Sequence, residues 1–102
     1  MSNTKHYLGK LIGTRPSWPG DMTKEEQAVM GEHFQYLSHL VEVGKVLLAG
    51  PCFEDPPFGL VIMAAENDAE ALEILSSDPS VIAGLHRPEI SEFQLSLWGG
   101  QK

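Results

Sequence analysis

"KVLLAGPCFEDPPFGLVIMAA", residues 45–65, decides the fold. It holds two apolar, β-prone runs, KVLLAG (45–50) and FGLVIMAA (58–65), around the connection PCFEDPP (51–57). Proline lacks the amide donor that a ladder or a helix needs, so the connection reads as a turn and the two runs as separate strands. Two strands therefore follow one another with no helix between them. The second is apolar at odd and even positions alike, so both of its faces want burial.

On the N-terminal side, HYLGKLIG (6–13) reads as a first strand and TRPSWPGDM (14–22) as a loop broken by two prolines and a glycine. Thr23 and Glu26 then make a capping box, in which the hydroxyl takes an amide of the first turn and the glutamate reaches back. The helix that follows is predicted from about Lys24 to Val43, with Gly44 as its stop. On the C-terminal side, Asn67 and Glu70 give a second helix start. That helix is predicted over Asp68 to Ser77, with Ala69, Leu72 and Leu75 inward and Pro79 ending it. SVIAGLHRPE (80–89) reads as irregular. ISEFQLSLW (90–98) alternates apolar and polar residues, as a half-buried strand does.

The order is βαββαβ, an α+β, ferredoxin-like arrangement in which two helices pack on one face of a four-stranded antiparallel sheet. The other face is left uncovered although FGLVIMAA is apolar on both sides, which predicts a homodimer packed sheet to sheet. Its rival is a monomer that covers the face with loop 14–22 and the C-terminal tail.

A chain of 102 residues fits one domain. Its net charge of -7, with 14 acidic and 7 basic residues, carries no basic footprint for nucleic acid. No apolar run approaches the roughly 20 residues of a membrane span. The opening MSNTKHYLGK is polar, unlike a signal peptide. A single cysteine, Cys52, excludes an internal disulfide, and a cytoplasmic location is expected. No Gly-rich phosphate loop, CxxC or HExxH occurs, so neither cofactor nor metal is expected. Cys52 itself reads as a small buried hydrophobe.

Among the four histidines, two lie on the first helix. At roughly 100° per residue, His33 falls about 60° from Met30, inside the stripe Met30, Phe34, Leu37, Val41 and Gly44, whereas His39 falls on the polar side. A ring on an apolar stripe needs a partner, since burial without one costs about 1–3 kcal/mol. Asp78 is the second oddity. At the C-terminal end of a helix the macrodipole disfavours an anion. An aspartate before proline is also a common turn starter, which would explain Asp78 locally. If both helices lie side by side, Asp78 can instead approach His33, neutralise its charge and leave one ring nitrogen free as a general base.

The frame EHFQYLSHLVEVGKVLLAGP, then FGLVIMAAENDAEALEILSSDPSVIAG and a last strand ending in Trp98, resembles the YciI-like (YCII-related) family over about residues 6 to 98. The marks are His33, the Gly50-Pro51 pair after the second strand, and the Asp78-Pro79 pair after the second helix. The resemblance implies a dimeric α+β barrel, a single domain over 1–102 with 14–22 as an inserted loop and 99–102 as a tail. It also implies a His33–Asp78 pair at a small cavity. Lyase or dehydrochlorinase chemistry on rings derived from chlorinated aromatics is known in one branch.

On this reading the chain is a cofactor-independent small-molecule enzyme of the lyase or isomerase kind. His33 would move a proton on a small cyclic, anionic or phenolic ligand, and Asp78 would hold the ring tautomer. Gly50 and Pro51 would shape the cavity floor. Arg15 would bind a ligand carboxylate or stay at the surface. Trp18 would close over the ligand or pin the loop, with 14–22 acting as a flap. The rival is a non-catalytic ligand-binding or interaction module of the same fold.

Overall fold

The computed structural model describes residues 4–100. The first three residues of the polar opening and the last two of the tail lie outside the described residues. The order is β1 (Lys5–Gly13), α1 (Lys24–Glu42), β2 (Val46–Cys52), β3 (Phe58–Ala65), α2 (Asp68–Ser76), α3 (Pro79–Ile82) and β4 (His86–Phe93). The sheet runs β2-β3-β1-β4 and every pair is antiparallel. This is the expected four-stranded ferredoxin-like α+β fold, with one short helix added.

The odd residues of β1 and β3 point to the helices. Tyr7 stands opposite Met63, and Gly9 opposite Val61. Tyr7, Leu11, Val61 and Met63 join Leu40 of α1 and Ala71, Ile74 and Leu75 of α2 in one core. Each large apolar side chain buried there stabilises the fold by roughly 1.5–3 kcal/mol. The even residues form the other face, where Leu8, Ile12, Leu60 and Ile62 are only half-buried and no helix covers them.

Local signals hold at both helix starts. Thr23 accepts from the Glu26 amide and Glu26 reaches back to the Thr23 amide. Asn67 accepts from the Glu70 amide. At the far end of α1, Gly44 has φ +83° and the Lys45 amide bonds back to Leu40, the left-handed stop that glycine adopts without steric cost.

Four expectations are corrected. The inward side of α1 is centred on His33, Tyr36, Leu37 and Leu40, whereas Phe34 is 71% exposed and Val41 is also exposed. Leu40 lies seven positions from His33, almost two full turns, and so shares its side of the helix. In α2 the buried residues are Ala71, Ile74 and Leu75, not Ala69 and Leu72. A spacing of three drifts steadily around a helix, while 71, 74 and 75 stay on one side. Asp78 does not end a helix as an unfavourable anion. It is the N-cap of α3. Finally, β4 starts at His86 rather than Ile90 and stops at Phe93. Phe93 pairs with His6 near the start of β1, so the ladder ends there. Beyond it, Leu97 is 91% exposed despite its alternating pattern. Pro88 is tolerated because β4 is an edge strand.

Candidate functional site

The site begins with Asp78. Its side chain is 0% exposed, and a buried carboxylate must be fully partnered. Its Oδ1 accepts the Ser80 amide at 2.8 Å, the cap of α3. Both oxygens also face the Nδ1 of His33, at 2.7 and 2.9 Å. The carboxylate can only accept, so Nδ1 carries the proton, and in the neutral form of the ring the His33 Nε2 keeps its lone pair. The turn-starter role and the histidine-pairing role, alternatives on paper, are both present in one side chain.

A second imidazole stands beside the first. His86, the first residue of β4, is 8% exposed, and its Nδ1 lies 2.8 Å from the Oγ of Ser80. The His33 and His86 ring centroids are 5.8 Å apart. Trp18 meets His86 edge to face at 5.6 Å. Burial, reinforced by His33 and opposed by Asp78, pushes the His86 pKa down to about 4. His86 is therefore neutral at ordinary pH.

Both imidazoles line one cavity of about 440 Å³, within the range of small-molecule sites. Its wall is mainly apolar: Trp18 and Pro19 from the loop, Phe34 and Val41 from α1, Gly50 and Pro51 from β2. The exposed shoulder of α1 thus faces the cavity and not the core. Among the described residues no buried side-chain nitrogen or oxygen lacks a partner. The two Nε2 atoms, which have no hydrogen bond there, are accordingly reached from the cavity.

Loop 14–22 closes one side of this space. The Arg15 guanidinium takes both oxygens of Glu26 at 2.8 Å and bonds Asp21, and it lies over the Trp18 ring. These bonds raise the Arg15 pKa, hold Asp21 below the usual carboxylate range and bring Glu26 down to about 2. Gly13 seats the indole: a Cβ there would lie 2.6 Å from the Trp18 Cδ1.

The structure thus brings together His33, Trp18, Gly50 and Pro51 around the cavity, with Asp78 directly behind His33. Arg15 does not line it, and its fork is committed to two carboxylates. Sequence reasoning missed His86 and Ser80. The signal is weak: a histidine and a serine six positions apart in a stretch without periodicity. Among the described residues, no group of three or more His, Cys, Asp or Glu side chains is arranged to hold a metal ion. Among the described residues no helix is long and apolar enough to cross a membrane.

The YCII-related domain model matches residues 12–94 of the chain. Among solved structures, 5-chloro-2-hydroxyhydroquinone dehydrochlorinase (TftG) from Burkholderia phenoliruptrix AC1100, in complex with 2,5-dihydroxybenzoquinone, is similar with a TM-score of 0.66. The two share 20% sequence identity, over 87% of this chain and 93% of that one, a likeness of fold. No curated protein matches the chain.

Proposed function

This chain belongs to the YCII-related domain family, and on that premise we propose that it is a cofactor-independent enzyme of the lyase or isomerase kind, acting on a small cyclic ligand of phenolic or anionic character. One observation carries the reading: the Nδ1 of His33 is held by a fully buried carboxylate while its Nε2 opens on an apolar cavity. In such a site His33 takes a proton from a ring hydroxyl or carbon. The freed electron pair forms a new double bond, and a leaving group departs as its anion. In the isomerase variant the same proton returns at another carbon. Asp78 fixes the His33 tautomer and stabilises the imidazolium that forms. Trp18, Gly50 and Pro51 shape the space, and Arg15 acts on the ligand only through the loop that it braces.

The similar fold of a protein solved with 2,5-dihydroxybenzoquinone supports a hydroxylated ring as the ligand class. The test is binding of that quinone, followed by halide release from 5-chloro-2-hydroxyhydroquinone. His33→Ala is expected to lower turnover by about 10²–10⁴-fold, the usual contribution of a general base, and Asp78→Asn by a similar order, with the fold intact. Turnover unchanged in His33→Ala would overturn the reading. Binding without turnover would instead favour a non-catalytic ligand-binding module.

The uncovered sheet face, with Leu8, Ile12, Leu60 and Ile62 half-buried and Leu48 exposed, supports a homodimer packed through it. Light scattering should then give about twice the 11.2 kDa chain mass. A monomer at micromolar concentration would remove this part.

A further inference from the structure

We infer that His86 is a second ligand-contacting group, a neutral hydrogen-bond donor whose Nε2–H faces a ligand carbonyl or oxyanion while His33 handles the proton. The inference deepens the proposed enzyme reading and rests on it for the identity of the ligand.

The argument starts at Ser80. Its side chain is completely buried, and its Oγ lies 2.8 Å from the Nδ1 of His86. Either group can donate. If Nδ1 donated, the Ser80 hydroxyl hydrogen would need another acceptor, and among the described residues its Oγ has no other hydrogen bond. A buried donor left without an acceptor costs about 1–3 kcal/mol. The satisfied arrangement has the Ser80 hydroxyl donating to Nδ1, which puts the His86 proton on Nε2. That nitrogen is open to the cavity.

The same short helix sets both imidazoles, and sets them oppositely. Asp78, its cap, can only accept, so a neutral His33 turns a lone pair toward the cavity. Ser80, two residues on, donates and leaves His86 with a hydrogen there. With ring centroids 5.8 Å apart, one small ligand can touch both. An acceptor and a donor facing one apolar space fit a hydroxy-carbonyl group: the hydroxyl or acidic carbon meets His33, and the neighbouring oxygen meets His86. Burial keeps His86 neutral, against the opposing charge of Asp78. Trp18 packs perpendicular to it. A neutral imidazole can polarise a carbonyl without surrendering its proton.

Ser80 is a positioning residue in this scheme, and the tautomer is its signature. Two-bond nitrogen–proton NMR on the protein labelled with ¹⁵N in its histidines should show His86 as the Nε2–H tautomer near neutral pH. Ser80→Ala should abolish that preference and leave the His33 pattern unchanged. The probe 2,5-dihydroxybenzoquinone should perturb the His86 Nε2 resonance. His86→Phe should weaken its binding roughly tenfold, the loss of one donor, while His86→Gln, which keeps an N–H, should recover part of it. An Nδ1–H or doubly protonated His86 would overturn the assignment. So would unchanged quinone affinity in His86→Phe. Failure of the wild-type protein to bind the quinone, with the Nε2–H tautomer present and lost in Ser80→Ala, would sink the ligand class and leave the donor assignment supported.

Discussion

Two histidines share one cavity, and they are held by different means. His33 comes from the middle of a long capped helix and leans on a buried carboxylate that can only accept. His86 comes from the first position of an edge strand and leans on a hydroxyl, perpendicular to an indole carried by a loop. The same side chain thus has opposite equipment a few ångströms apart. What differs is the partner, and the partner decides which ring nitrogen keeps the proton and what the free nitrogen offers.

The contrast breaks most severely at Asp78, on which both walls depend. Asp78→Ala removes the α3 cap and leaves the Ser80 amide and the His33 Nδ1 without their acceptor. Loss of a cap and of buried, charge-assisted hydrogen bonds should cost about 2–4 kcal/mol together. Denaturant unfolding reads this directly, and a cost below about 1 kcal/mol would mean that the carboxylate is not integral to the site.

Acid separates the walls next. His86 has its folded pKa pushed from 6.5 down to about 4, so the unfolded chain binds the extra proton first as pH falls. Stability from its burial is complete above pH 6.5 and is lost between there and about pH 4. The loss should be on the order of 2–3 kcal/mol. Glu26 is lowered from 4.5 to about 2 by Arg15, so its contribution declines only below pH 4.5. A pH series of unfolding free energies should therefore fall already between pH 6.5 and 4.5, and His86→Phe should flatten that part of the curve. An unchanged slope in the variant would contradict the neutral, buried state of His86.

A smaller effect isolates the His86 wall. In Gly13→Ala the new Cβ would stand 2.6 Å from the Trp18 ring, which must shift. Overpacking of this kind costs about 1–3 kcal/mol. Near-ultraviolet circular dichroism and tryptophan fluorescence should register the displaced indole. An unmoved Trp18 signal would show that the seat has slack.

The least costly change is Arg15→Ala. Arg15 is partly exposed, so solvent screens its ion pairs with Asp21 and Glu26 and they should add little to global stability. Its effect should appear locally, as faster amide exchange across loop 14–22, with the helix around His33 unaffected. Exchange that stays slow would mean that Trp18 burial alone holds the loop.

Legibility divides along the same line. The Thr23–Glu26 box, the left-handed Gly44 and the bounds of FGLVIMAA were readable because each is a property of a few neighbouring residues. The pairing of His33 with Asp78 was readable only as a consequence of helix adjacency, once the βαββαβ order stood and the family resemblance marked both positions. His86 escaped because its segment shows no period. It becomes a strand through pairing with Gly13 and its neighbours on β1, which no local pattern encodes.

By itself, then, the sequence determined the four strands and first two helices, their βαββαβ order and the caps of α1 and α2, since hydrogen bonds within a turn and the alternation of a strand are settled over fewer than ten residues. The tertiary structure decided which side of α1 turns inward, where β4 begins, and that Asp78 both caps α3 and receives His33 from 45 positions away. Those outcomes follow from helix rotation and sheet register, which are chosen by the packing of the whole core. A pattern of spacing fixes neither, because a helix can turn and a strand can slide while every local preference stays satisfied.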